Sequence, residues 1–171
     1  MKDRYDLERL GFGGFLSVRS LKETALDQVP EQPGVYVVLR ESAKFPRFAA
    51  QGTGGRSKDK NPNVDLHELR KSWVLDTRVV YIGKAGGIDQ PPTLRTRIRQ
   101  YLDFGNGLPV AHWGGRYIWQ LEDSDTLTVC WRVIHGRDPE DVEADLIEHF
   151  VDVYGRLPFA NLKRGRRLAK P

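Results

Sequence analysis

Alternating hydrophobic and polar positions predict short β-strands in three parts of the chain. In residues 34–40, Val35, Val37 and Leu39 fall in one phase, whereas Tyr36 falls in the other. Successive side chains of a strand point to opposite faces of its sheet, so the two sets are expected on opposite faces. Similar runs of β-branched and aromatic residues, which favour strands, cover 78–82 and 126–134.

Helical patterns lie between and after these strands. Thr93, which follows two prolines, is a suitable N-cap for an amphipathic helix that Gly105 ends. Asp138, which precedes a proline, is a suitable N-cap for a longer helix that Gly155 ends. A shorter amphipathic pattern covers residues 64–73. The mixture of strands and helices predicts an α+β fold.

Two regions lie outside this pattern. Residues 1–33 form an N-terminal extension, in which the glycine-rich apolar segment 11–16 is expected to be a loop that packs on the core. Residues 41–77 separate the first two strands as an insertion. Its glycine-rich part, 49–58, lacks the spacing of a phosphate-binding loop and is expected to be a mobile surface loop. We interpret residues 1–171 as one domain with these two additions.

The composition is that of a folded chain. Its 171 residues (19.5 kDa) are 39% hydrophobic and 10% aromatic, which is enough for a core. Cys130 is the one cysteine, so no intramolecular disulfide forms, and its apolar neighbours suggest a buried strand position. The four histidines are scattered, so a zinc site is not expected. Without a bilayer-length apolar run or a signal-peptide core, the sequence predicts a cytoplasmic protein with no membrane association.

Charge is unevenly distributed, although the net charge is only +4, from 27 basic and 23 acidic residues. Acidic residues gather at 122–125 and 138–145, whereas basic residues gather at 95–99 and 163–167. Basic clusters of this kind suit a polyphosphate partner, although many solvated helices show the same pattern.

Five short sequence elements follow one another along the chain and carry the candidate chemistry. They are Gly34-Val35-Tyr36, Tyr81-Ile82-Gly83 with Lys84 after it, Leu94-x-x-Arg97-x-x-x-Tyr101, Glu143-x-x-Leu146-Ile147-x-x-Phe150 and Pro158-Phe159-Ala160-Asn161. Through these elements, residues 33–162 resemble the GIY-YIG nuclease superfamily. The resemblance implies a small antiparallel sheet flanked by helices in the order β-β-α-α-β-α. It also favours a helix for residues 116–121, where β-propensity alone favours a strand.

The resemblance implies a divalent-metal-dependent endonuclease that hydrolyses phosphodiester bonds in DNA without a small-molecule cofactor. One Mg²⁺ or Mn²⁺ per active site would be held by Glu143, water and phosphate oxygens, since hard cations prefer oxygen ligands. Tyr36 is then the expected general base, Tyr81 orients the attacking water or shares that role, and Arg97 neutralises charge on the phosphate. Three residues are expected to support this chemistry. Lys84 would lower the tyrosine pKa. Tyr101 would contact the phosphate or position the water, and Asn161 would hold the metal-site geometry.

Glu143 also stands out from helical geometry alone. At 100° per residue it falls near the middle of an apolar face that contains Leu146, Ile147 and Phe150. A buried carboxylate requires a cation or hydrogen-bond donors, so Glu143 either binds a metal or forms a buried ion pair with an arginine. Glu148, the competing metal ligand, projects from the opposite, polar side of the same helix.

The partner implied by the resemblance and by the basic clusters is DNA. The residues expected to contact its backbone are Arg95, Arg99, Lys163, Arg164, Arg166 and Arg167. Two alternatives remain open: a catalytically inactive DNA-binding module on the same fold, and a protein-interaction module that uses the insertion as its docking surface.

Overall fold

Four antiparallel strands form one sheet in the computed structural model, which describes residues 1–56, 60–87, 91–110 and 112–165. The strands are β1 (Gly13–Ser17), β2 (Gly34–Leu39), β3 (Val79–Ala85) and β4 (Thr128–Val133). Their spatial order is β1-β4-β2-β3, and each neighbouring pair is antiparallel. β1 and β3 are therefore the edge strands, and β3 has one side of its backbone unpaired by other strands.

Helices flank this sheet, which confirms the predicted α+β class. They are α1 (Arg4–Arg9), α2 (Val18–Ser20), α3 (Leu66–Ser72), α4 (Leu94–Gly105) and α5 (Pro139–Tyr154), together with a 3₁₀ helix (Trp113–Gln120) and shorter helical turns at Leu21–Ala25, Leu26–Gln28 and Ser124–Thr126. The helical assignment of residues 116–121 is thus confirmed for most of that segment, and its type is 3₁₀. Within the described ranges, no helix has both the length and the apolar character needed to cross a bilayer.

The side chains of β2 divide between the two faces of the sheet as predicted. Val35, Val37 and Leu39 belong to a hydrophobic cluster with α5, whereas Tyr36 and Val38 belong to a second cluster with α4. Every residue of β2 is buried. This division places α4 and α5 on opposite faces of the sheet. The predicted burial of the Cys130 side chain, in β4, is also confirmed.

The prediction of a loop at residues 11–16 is wrong, because β1 occupies most of this segment and pairs with β4. Two backbone conformations hide the strand from sequence patterns. Gly14 has a φ of +90° and Phe15 a φ of +48°, and the register shifts between Gly13 and Leu16. Such a bulge breaks the period of two by which a strand is recognised.

The insertion (41–77) contributes side chains to the hydrophobic core. Leu69 of α3 is fully buried, and the buried Gln120 amide donates to the carbonyl oxygens of Ala49 (3.2 Å) and Val64 (3.0 Å). The same Gln120 side chain accepts a hydrogen bond from the Val64 N–H (2.8 Å). Removing the insertion would uncover core side chains, so the insertion is a structural element of this fold.

The glycine-rich part of the insertion packs closely wherever it is described. A Cβ at Gly52 would meet the Trp119 carbonyl group, and the Gly55 N–H donates to the Phe104 carbonyl oxygen (2.7 Å). Residues 49–56 form a loop whose glycines allow close backbone approach to the core, while several of its other residues are exposed. The expectation of a mobile surface loop stays a prediction. Residues 57 and 58 lie outside the described residues.

Candidate functional site: a cleft at the edge of the sheet

An open cleft runs along the outer edge of β3. Its first chamber, of about 550 Å³, is lined by Tyr81, Lys84, Gly86, Gly87, Pro91, Pro92, Arg97, Asp138, Glu140 and Glu143. Its second chamber, of about 700 Å³, shares Tyr81, Glu140 and Glu143 and adds Trp113, Gly114, Ile147, Asn161, Leu162, Lys163, Arg164 and Gly165. The two chambers meet at the Tyr81 phenol and the Glu143 carboxylate, both of which the sequence predicted as site residues.

Three separate elements supply the central side chains of this cleft. Tyr81 comes from β3, Arg97 from near the start of α4, and Glu143 from near the start of α5. α4 and α5 lie on opposite faces of the sheet, but β3 is an edge strand, so side chains from both faces can meet around its outer side. The structure thus brings Tyr81, Arg97 and Glu143 to one cleft.

The carboxyl group of Glu143 is largely buried, and its pKa is raised from 4.5 to about 7. Burial is the main cause, and the charges of Lys84 and Arg97 offset only part of it, whereas Glu140 raises the pKa further. Among the described residues, no cation lies within ion-pair distance of Glu143. The alternative of a buried ion pair with an arginine therefore has no support. The competing ligand Glu148 is exposed and lines neither chamber.

Lys84 has a different neighbour from the one expected. Its ammonium nitrogen lies 3.1 Å from a carboxylate oxygen of Glu140, and its charge lowers the pKa of Glu143. The cation that lowers the pKa of both Tyr36 and Tyr81 is Arg97. The electrostatic role predicted for Lys84 toward the tyrosines thus belongs to Arg97.

The two signature tyrosines lie side by side but differ in access to the cleft. Their ring centroids are 5.9 Å apart; Tyr36 is 0% exposed and does not line either chamber, whereas Tyr81 is 7% exposed and lines both. Burial raises the pKa of Tyr36 well above 10 and that of Tyr81 to about 12. A hydrogen bond between them raises the pKa of Tyr36 further and lowers that of Tyr81.

The glycine of the second signature makes room for the tyrosine of the first. Gly83 is the register partner of Tyr36, and a Cβ at Gly83 would lie 2.6–2.8 Å from atoms of the Tyr36 ring and hydroxyl. Real Cβ atoms do not approach other groups this closely. The two motifs therefore pack against each other, and the absence of a side chain at Gly83 leaves room for the Tyr36 ring.

His112 is a residue of this site that sequence reasoning missed. Its Nε2 lies 3.5 Å from the Tyr36 hydroxyl oxygen, and its ring centroid lies 5.3 Å from that of Tyr101 and 6.2 Å from that of Tyr81. Burial, followed by the charge of Arg97, lowers its pKa to about 3, so the imidazole is neutral near pH 7. A single histidine in a loop carries no local pattern that predicts this position.

Tyr101 lies behind the cleft and does not line it. Its side chain is fully buried, and its ring centroid lies 4.7 Å from that of Trp119 and 5.3 Å from that of His112. The predicted contact with a phosphate or with the attacking water therefore does not fit its position. Its hydroxyl finds no hydrogen-bond partner among the described residues, and the structure gives it a packing role beneath His112.

Asn161 binds the exposed edge of β3 with its side-chain amide. Its oxygen accepts from the Ile82 N–H (2.9 Å), and its nitrogen donates to the Ile82 carbonyl oxygen (2.8 Å). The N–H of the preceding Ala160 donates to the Val80 carbonyl oxygen (2.9 Å). Asn161 therefore fixes the backbone on the C-terminal side of Tyr81. Its expected role in holding the metal-site geometry stays a prediction.

The basic residues expected to contact DNA have different environments. The Arg95 guanidinium is bonded to the N-terminal extension, through the carbonyl oxygens of Val29 and Asp27 (each 2.8 Å) and the carboxylate of Glu31 (2.7 Å). These bonds hold the Arg95 side chain against the extension, and the expected DNA contact of Arg95 stays a prediction. Arg99 is exposed on α4, and Lys163 and Arg164 line the second chamber, whereas Arg166 and Arg167 lie outside the described residues.

The donor set suits a weakly chelated hard cation. No group of three histidine, cysteine, aspartate or glutamate side chains converges on a metal position within the described ranges. Mg²⁺ is often held by one or two carboxylates, with waters and substrate phosphates completing its shell. A largely buried carboxylate that lines an open cleft and has no ion-pair partner among the described residues fits that mode.

Comparisons of this chain with protein-family models, with curated proteins and with solved structures found no match.

Proposed function

We propose that this chain is a GIY-YIG-like endonuclease that hydrolyses phosphodiester bonds in DNA with the help of one Mg²⁺ or Mn²⁺. The observation that carries the proposal is the convergence of Tyr81, Arg97 and Glu143 on one cleft. Tyr81 of the β3 signature, the α4 arginine, the α5 glutamate and the closing asparagine line that cleft, and the β2 signature lies directly behind Tyr81, which supports the proposal.

The residues around the cleft divide the chemistry among them. Glu143 would hold the cation, which when bound supplies positive charge beside the leaving oxygen. Arg97 lines the first chamber, where a planar guanidinium binds two phosphate oxygens and neutralises charge that develops on them. Asn161 keeps the β3 backbone, and hence the Tyr81 phenol, in place.

The geometry favours Tyr81 over Tyr36 as the group that meets the attacking water. Tyr81 lines both chambers, and the hydrogen bond with Tyr36 stabilises its phenolate form. Tyr36 packs against Gly83 and lies beside the neutral imidazole of His112, and its fully buried side chain lines neither chamber. We therefore assign the general base to Tyr81 and a supporting hydrogen-bond role to Tyr36, which reverses the assignment made from sequence.

One observation favours a DNA-binding module that does not cut. Burial raises the pKa of both phenols, to about 12 for Tyr81, and a general base works best when its pKa lies near the working pH. In that case Arg97, Lys163 and Arg164, which line the cleft, would hold DNA without cleaving it. The two proposals differ in one measurable outcome.

Nicking of supercoiled plasmid in Mg²⁺ or Mn²⁺ separates cleavage from binding alone. We expect nicking by the wild type and its loss in Glu143→Gln, with DNA affinity retained. The matched control is Glu148→Gln, an exposed glutamate on the same helix, which should nick at the wild-type rate. A wild type that binds plasmid but never nicks it in either metal would refute the endonuclease and leave the binding module.

A further inference from the structure

Trp113 places an aromatic ring in the second chamber. Phosphodiester hydrolysis does not itself require such a ring. It lines this chamber together with Tyr81 and Glu143, and it is half-buried against the hydrophobic core. The guanidinium carbon of Arg116, one 3₁₀ turn later, lies 4.9 Å from the centroid of its ring. The indole is therefore held by the core and by a cation–π contact.

The next residue keeps the space beside this indole open. Gly114 is exposed and lines the second chamber, and a Cβ added to it would lie 3.3 Å from the Tyr81 hydroxyl oxygen. Any side chain at position 114 would therefore crowd the passage between Trp113 and Tyr81. A flat group beside Trp113 can reach the phenol and the Glu143 carboxylate without meeting a side chain from residue 114.

The lining of the second chamber suits a whole nucleotide. Lys163 and Arg164 supply positive charge for phosphates, and the indole supplies a face on which a nucleobase can stack. In regular duplex DNA each base is stacked inside the helix, where an indole beside the backbone cannot reach its face. A base must leave the stack before a protein aromatic side chain can cover it.

We propose that Trp113 stacks on an unpaired nucleobase next to the scissile phosphate, so that the preferred substrate is DNA with an unpaired nucleotide at the cut. The inference rests on the proposed endonuclease function and names the substrate class of the same cleft. It assigns Trp113 as a substrate-binding residue, with Gly114 as the position that leaves room for the base.

The test compares two labelled oligonucleotides with equal numbers of phosphates, an oligothymidylate and a chain of abasic sites. Their affinities are measured by fluorescence anisotropy in the Glu143→Gln background, which is expected to bind without cutting. Base stacking predicts that the oligothymidylate binds about tenfold more tightly or better. Adding Trp113→Leu should remove this preference, whereas adding Trp113→Phe, which keeps an aromatic face, should retain most of it.

The control is Phe45→Leu in the same background. Phe45 is 56% exposed and lines a different cleft, with Lys2 and Arg78, so its loss should leave the base preference unchanged. Equal affinity for the two oligonucleotides, or a preference that survives Trp113→Leu, would overturn the inference even if plasmid nicking succeeds. Failure to bind either oligonucleotide, together with failure to nick, would overturn the proposed function and the inference with it.

Discussion

The buried carboxyl group of Glu143 predicts that Glu143→Gln makes the protein more stable, and increasingly so as the pH rises. Its pKa in the folded protein is about 7, against an ordinary value of 4.5. The folded state therefore binds this proton more tightly than the unfolded chain. It follows that the free energy of unfolding falls as the pH rises from 4.5 to about 7.

The magnitude follows from the gap between the two pKa values. At about 1.4 kcal/mol per pH unit, ionised Glu143 costs about 3 kcal/mol of stability above pH 7, about 2 at pH 6 and about 1 at pH 5. Glutamine keeps an acceptor for the Lys84 backbone hydrogen bond but carries no charge. Glu143→Gln should therefore gain about 3 kcal/mol over the wild type at pH 8 and lose nicking activity.

Urea unfolding of both proteins at pH 5, 6, 7 and 8 in a metal chelator measures this gain. Glu148→Gln is the control, because exposed substitutions usually change stability by less than about 0.5 kcal/mol. A gain that does not change with pH would refute the reasoning. So would a Glu143→Gln protein less stable than the wild type at pH 8, since that result means the carboxylate has a structural cation partner. Adding Mg²⁺ at pH 8 should stabilise the wild type and leave Glu143→Gln unchanged.

Three further substitutions test the packing around the cleft. Gly83→Ala forces Tyr36 to move, so urea unfolding should show a loss of about 1–3 kcal/mol, and nicking should fall by about 100-fold; wild-type values for both would contradict the interlocking of the two motifs. Asn161→Ala leaves the Ile82 N–H and C=O without their partner and should cost about 2 kcal/mol in the same assay; an unchanged midpoint would show that water replaces the amide. His112, with its pKa lowered to about 3, is protonated more readily in the unfolded chain, so wild-type stability should fall below pH 6.5. His112→Gln should show a weaker fall there, and an equal fall in both proteins would contradict a buried neutral imidazole.

The sequence predicted those features of the site that leave a local or periodic trace. Helical periodicity alone placed Glu143 on an apolar face, and alternation alone divided Val35 and Tyr36 between the two faces of β2. The edge position of β3, by contrast, depends on strand order, which local patterns do not encode. That position is what allows α4 and α5 to contribute to one cleft.

The partners of charged and buried polar groups were the part that sequence could not supply. The bonds of Arg95 to the N-terminal extension were not predicted, and Lys84 was expected near the tyrosines but pairs with Glu140. Both are ordinary basic residues by local pattern, and their partners come from distant or facing elements. His112 was missed for the same reason, because its contact with Tyr36 spans 76 positions of the chain.

The edge of β3 also explains why the proposed metal ligand stands where it does. The outward-facing backbone groups of an edge strand need partners, and along β3 they occur at every second residue. Ala160 binds Val80, the Asn161 side chain binds Ile82, and the backbone of Lys84 hydrogen-bonds Glu143. Glu143 thus continues a line of edge contacts and has a structural role besides any role in metal binding.

This dual role separates two substitutions that activity alone cannot distinguish. Both Glu143→Gln and Glu143→Ala should abolish nicking. Glutamine keeps an acceptor for the Lys84 backbone hydrogen bond, whereas alanine leaves that backbone group without a partner. Because neither variant carries a charge at position 143, urea unfolding at a single pH should find Glu143→Ala less stable than Glu143→Gln by about 1–3 kcal/mol. Equal stability of the two variants would mean that water satisfies the Lys84 backbone and that Glu143 has no structural role at this edge.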